Sequence, residues 1–112
     1  IDDIKSLREE FWKNVKVPGD DKTYNPELVK AGRVADFFEL GELMMRDALE
    51  RNDSCGGHFR EEYQTQEGEA LRDDKNFTFA STWEFKGLNE PPRLHKEDLN
   101  FQTVHPTQRS YK

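Results

Sequence analysis

The chain has 112 residues, room for one domain and at most a trailing segment. Only 33% of residues are apolar and 36% are charged, yet eight Phe, three Tyr and two Trp are too many for a solvated, disordered tail. A net charge of -6, with acids and bases interleaved, argues against nucleic acid and offers no polybasic patch to an anionic membrane.

This composition describes a folded piece whose core is completed by something else. The longest apolar runs are a few residues, so direct membrane insertion is not expected. The opening Ile1-Asp2-Asp3 is no secretory signal, and a single cysteine suits a reducing cytoplasm.

Asp2 or Asp3 is placed to cap a first helix. Ile4, Leu7, Phe11 and Val15 recur at helical spacing, with Trp12 beside them, and Pro18-Gly19 supplies a stop. After the polar loop Asp20 to Tyr24, Asn25-Pro26-Glu27 combines an N-cap, a proline at the first helical position and an acid in the first turn. The second helix is expected from Pro26 to about Arg51. Ala31, Val34, Phe37, Phe38, Met44, Met45, Ala48 and Leu49 share one arc of it, with Gly41 inside the arc for a close backbone approach. Arg33, Asp36, Glu39 and Glu50 take the other side. Leu40 and Leu43 fall towards that polar side, which calls for a further helix or domain to cover them unless they are simply scattered exposed leucines.

Gly56-Gly57 breaks the helical pattern. Phe77, Phe79, Trp83 and Phe85 then alternate with polar residues, interrupted only by Ser81, and Gly87 to Pro92 is turn material. A second, shorter alternation at Leu99, Phe101 and Thr103 completes a two-stranded ribbon that must dock to be stable. The expected fold is mainly α: a helical hairpin, a partial three-helix bundle of spectrin-repeat type, then an irregular tail with a short β-hairpin. The division falls at 1–52 and 53–112.

The chemistry is sparse. No glycine-rich phosphate cradle and no nucleophile elbow is present. Cys55 and His58 have the spacing of half a zinc site, but only His95 and His105 remain as nitrogen donors for the four ligands a closed site needs. Nothing in the sequence orients Cys55 as a nucleophile. From Asp53 to Asp74 arginines and acids crowd together, which fits either a hydrogen-bonded network against another surface or a solvated linker.

Asp53-Ser54-Cys55-Gly56-Gly57-His58-Phe59-Arg60-Glu61-Glu62, then Arg72-Asp73-Asp74, then Arg109-Ser110-Tyr111, resembles the C-terminal domain of succinate dehydrogenase/fumarate reductase flavoprotein subunits. That family carries Glu-Ser-Arg-Gly-Ala-His-x-Arg-x-Asp at a helix end, an Arg-Asp-Asp triplet, and Arg-x-Tyr near its close. Cys55 stands for the usual arginine, Asp53 for glutamate, Gly57 for alanine and Glu62 for aspartate, a variant resembling one bacterial branch. Gln64 to Leu71 widens the gap before Arg72.

The resemblance implies a parent enzyme that interconverts succinate and fumarate with FAD, and that lies peripherally on the inner face of the bacterial cytoplasmic membrane. It implies no catalytic, cofactor or metal residue in this chain, which alone should be inactive. It implies docking to the flavin domain of the same subunit and to the iron–sulfur subunit. Ser54, His58, Arg60, Glu62, Arg72, Asp73, Arg109 and Tyr111 would contribute to that docking. L-aspartate oxidase shares a similar motif and is the alternative parent; a stand-alone helical protein-binding module is the alternative from another class.

Overall fold

In a computed structural model of the chain, residues 1–87 and 90–110 are described. The element order is α1 (Asp2–Asn14), α2 (Pro26–Glu50), α3 (Asp74–Phe77), β1 (Phe79–Glu84) and β2 (Arg93–Asp98). The fold is mainly helical with a β-hairpin tail, as the sequence pattern implies. The chain divides into two compact units, Ile1–Arg46 and Asp47–Lys112.

In the first unit α1 and α2 form an antiparallel hairpin. Its N-cap is Ile1, which makes no side-chain cap; Asp2 and Asp3 lie in the first helical turn instead. They act there through their charge at the positive end of the helix dipole, not as caps. The helix ends at Asn14, before Pro18-Gly19, because Val15 has already turned extended. Asn25 behaves as its local pattern demands: Oδ1 accepts from the N–H groups of Glu27 and Leu28 at 3.1 and 3.2 Å. Its Nδ2 donates to the Pro18 carbonyl at 2.9 Å, tying the loop to the start of α2.

The faces that meet differ from the apolar stripes. On α1, Leu7 and Trp12 are exposed, whereas Arg8 is half-buried beside Ile4 and Phe11. On α2, the half-buried line runs Ala31, Ala35, Phe38, Glu42 and Arg46. Phe11 meets Phe38 edge to face, with ring centroids 5.5 Å apart. A Cβ at Gly41 would fall 2.7 Å from Ile4 Cδ1, so the missing side chain admits a side chain and not the backbone expected.

Arg8 enters the seam because Glu42 waits there. Arg8 Nη1 lies 3.0 Å from Glu42 Oε2 and 2.9 Å from Glu39 Oε1, and Arg46 Nη2 lies 2.7 Å from Glu42 Oε1. Burial pushes the Glu42 carboxyl up, but the Arg46 hydrogen bond and the charges of Arg46, Arg8 and Lys5 outweigh it. The net pKa falls below its ordinary 4.5. A lowered folded-state pKa gives stability that is present above 4.5 and is lost as pH falls through the folded value. The helical hairpin should therefore weaken as pH drops below about 4.5, and Glu42→Gln should flatten that slope. Urea midpoints followed by far-UV circular dichroism across this range check it; an equal slope in the variant would count against Glu42.

Val34, Phe37, Leu40, Met44 and Met45 remain exposed on α2, at 62% for Phe37, 53% for Leu40 and 64% for Met44. Leu40 thus stays uncovered, whereas Leu43 is half-buried. No apolar side chain among the described residues is fully buried; only Asp53 and Ser54 are.

The second unit starts in the last turn of α2 and continues as irregular chain to α3. Phe77 closes α3 and does not begin a strand, because Asp73 caps that turn by accepting from the Asn76 N–H. β1 and β2 pair antiparallel from Phe79↔Asp98 to Glu84↔Arg93, with Trp83 opposite Leu94. The second strand therefore precedes the Leu99, Phe101 and Thr103 alternation, which lies in the irregular tail. Pairing to β1 sets this register: Leu94 alone of β2 is half-buried, and its polar neighbours suit a strand with an open edge. Of the expected turn Gly87 to Pro92, Leu88 and Asn89 lie outside the described residues.

Candidate functional site

The charged motif folds as a tight turn directly after α2. Cys55 and His58 exchange backbone hydrogen bonds at 2.8 and 3.1 Å across Gly56-Gly57. Gly56 has φ +60°, the left-handed region that glycine enters without a steric penalty. Ser54, fully buried, accepts the Arg60 N–H at Oγ (2.8 Å) and lies 3.2 Å from the Arg60 carbonyl as donor. Its own N–H donates to the Leu71 carbonyl at 2.9 Å. One hydroxyl thus fixes both backbone groups of Arg60.

The Arg60 side chain turns back to the end of α2. Its Nη1 donates to Asn52 Oδ1 at 2.7 Å, and to the carbonyls of Arg51 and Leu49 at 3.2 and 3.4 Å. Its Nε donates to Glu62 Oε1 at 2.9 Å, and the guanidinium sits 5.4 Å from the Tyr63 ring centroid. A backbone hydrogen bond at Glu62 and the Arg60 guanidinium hold the Glu62 carboxyl below its ordinary value. His58 Nε2 lies 3.0 Å from the Arg51 carbonyl; a carbonyl only accepts, so this nitrogen carries the proton.

A second layer surrounds Asp53, which is 1% exposed. Arg51 Nε lies 2.7 Å from its Oδ1 as an ion pair without hydrogen-bond alignment, and the Asp73 N–H donates to Oδ2 at 3.3 Å. Arg51 Nη2 also donates to the Phe77 carbonyl at 3.2 Å. Arg72 is bound to Asp74, whose carboxylate raises its pKa, and Nη1 reaches the Thr107 carbonyl at 3.0 Å. Gln108 Nε2 donates to the Ala70 carbonyl at 2.9 Å and Ser110 Oγ to Glu69 at 3.2 Å, so the tail from 107 to 110 runs beside 69 to 72.

The structure therefore brings Ser54, His58, Arg60 and Glu62 together around the end of α2. Arg72 and Asp73 stand in the adjoining layer, Arg109 lies in the tail, and Tyr111 falls outside the described residues. Three residues absent from the sequence-based set prove central: Asp53, Arg51 and Asp47, whose Oδ1 accepts from Trp83 Nε1 at 2.9 Å. The sequence signal was faint, an arginine two residues before an acid just past a helix end. Among the described residues no three His, Cys, Asp or Glu side chains converge as a metal site. His58 is engaged at Arg51, and His95 Nε2 lies 2.8 Å from Glu84 Oε2.

Fold and site together define a helical hairpin in the first unit and, in the second, a charged turn closed onto residues 49–52 at the end of α2. The chain belongs to the fumarate reductase flavoprotein C-terminal family, whose model matches residues 1–111. It is 29% identical to a fumarate reductase flavoprotein subunit of Serratia sp. and 30% identical to that of Proteus vulgaris, over 99% of this chain in each case. A third such subunit, from Haemophilus influenzae, is 24% identical over the same span. The chain covers only 18% of the length of the first two relatives and 17% of the third. No solved structure matches it.

Proposed function

We propose that this chain is the part of a succinate dehydrogenase/fumarate reductase flavoprotein subunit that packs on the subunit's own flavin domain and supports assembly with the iron–sulfur subunit. The whole enzyme would exchange hydride between succinate or fumarate and FAD, peripherally on the inner face of the bacterial cytoplasmic membrane. This chain would supply no reacting group. Its helical part, to residue 52, would provide the packing face. Its tail, from 53, would provide the docking region around Ser54, His58, Arg60, Glu62, Arg72, Asp73, Arg109 and Tyr111.

One observation carries the reading: Phe37, Leu40 and Met44, spaced three and four apart on α2, are all exposed, so Leu40 borders the apolar arc and does not lie on the polar side expected for it. A contiguous apolar face of this kind marks a contact with another body. The relatives are several times longer than this chain, which supports placing that body within the same subunit. The test is polar substitution on the arc, read as stability and assembly of the full-length subunit; a fully stable, fully assembled variant would overturn the proposal.

The described residues do not fit a flavin. The two strands are antiparallel, and the glycine pair closes a turn between Cys55 and His58 in place of a strand-to-helix phosphate loop. Any flavin chemistry belongs to the remainder of the subunit. The motif would serve docking by holding its surroundings in place: Arg60→Ala in the full-length subunit should weaken assembly with the iron–sulfur partner. Unchanged assembly together with unchanged succinate oxidation would remove the motif from that role.

A further inference from the structure

We infer that Arg60 and His58 form a carboxyl-terminal cap for α2, delivered from outside the helix, and that this cap positions the β-hairpin. A helix leaves its last carbonyls without intrahelical partners and carries partial negative charge at that end. The last turn of α2 is poorly suited to this, since it contains no basic residue and does contain Asp47 and Glu50. Arg60 supplies the missing cation, reaching the carbonyls of Leu49 and Arg51, and His58 Nε2 adds a second donor to Arg51.

The cap is held ready before it acts. Ser54 Oγ bonds both backbone groups of Arg60, Glu62 takes one edge of its guanidinium, and Tyr63 lies against its face. Little rotamer freedom remains to be lost, which is what makes a long side chain effective at a fixed target.

The same helix end anchors β1 at two points. Near its finish, Trp83 Nε1 donates to Asp47 Oδ1 at 2.9 Å. Near its start, Arg51 Nη2 donates to the Phe77 carbonyl and the guanidinium lies 5.7 Å from the Phe77 ring centroid. Phe77 in turn contacts Phe79, the first residue of β1, with centroids 5.9 Å apart. Residues 47 and 51 bracket one helical turn, so fraying of that turn moves both anchors together. Arg60 is thus a positioning residue for a hairpin that its own side-chain hydrogen bonds, which go to Leu49, Arg51, Asn52 and Glu62, do not reach.

Hydrogen exchange followed by mass spectrometry on the full-length flavoprotein subunit tests this. In Arg60→Ala, amides of 48–52 and of β1 should exchange about tenfold faster, the factor expected for loss of charge-assisted hydrogen bonds, with α1 unchanged. Asp47→Ala should accelerate β1 while the turn from 54 to 63 stays protected. Faster exchange confined to 54–63, with β1 at the wild-type rate, would overturn the inference. If Arg60→Ala does not fold, Arg60→Lys keeps the charge but loses the fork. A smaller rise in both 48–52 and β1 supports the coupling, and an unaltered β1 refutes it.

Discussion

Asp53→Ala should destabilise the second unit by about 2–4 kcal/mol, somewhat below the roughly 3–5 kcal/mol seen when one partner of a fully buried pair is removed. Asp53 is 1% exposed, so its carboxylate is wholly desolvated and is retained only through its partners. Its loss would leave Arg51 without a counter-ion and the Asp73 N–H without an acceptor. The discount arises because the Arg51 side chain keeps 26% exposure and can recover some water. Asp53→Asn keeps a hydrogen-bond acceptor for Asp73 and should cost less than the alanine. Urea unfolding followed by Trp83 fluorescence in a Trp12→Phe background separates these outcomes. A loss under about 0.5 kcal/mol for Asp53→Ala, the range of ordinary surface changes, would mean the buried carboxylate is not a structural centre.

What the sequence showed depends on how far each residue's partner lies along the chain. Asn25 was legible as an N-cap because the capping bonds to its Oδ1 close within three residues. The Gly56-Gly57 turn was legible for the same reason, its partners being Cys55 and His58. Arg8 was not: apolar periodicity placed Leu7 in the seam, but Glu42, more than thirty residues away, draws Arg8 into it. The second strand was misplaced because alternation at Leu99 and Phe101 was the stronger local signal. Register with β1 is a non-local quantity, and it selects the nearly all-polar stretch Arg93–Asp98.

The charged motif is the instructive case. Its residues could be read as a family signature, and their density as a network, from the sequence alone. Their arrangement could not: the last turn of α2 lacks a basic residue, but nothing local says that Arg60, nine and eleven positions beyond the carbonyls it reaches, supplies the cation. The acid that anchors the adjoining layer, Asp53, was legible as a motif position but not as a buried ion-pair partner. Only its burial sets it apart.

The α2 arc should behave in opposite ways in two settings. Phe37→Gln with Leu40→Gln leaves helix propensity nearly level, so in the isolated chain the change should stay within about 1 kcal/mol. Both side chains are more than half exposed there, and little apolar burial is available to lose. In the full-length subunit, if the remainder covers this face, each substitution forfeits about 1.5–3 kcal/mol of apolar burial and leaves an amide to be satisfied. The pair should then cost about 3–6 kcal/mol on that burial basis, enough to deplete a marginally stable subunit and its complex. Thermal melting of the purified subunit and recovery of the proposed iron–sulfur partner measure the two consequences. Equal small effects in both settings would show that the arc faces water throughout. A loss of several kcal/mol already in the isolated chain would show that Phe37 and Leu40 belong to a core of its own.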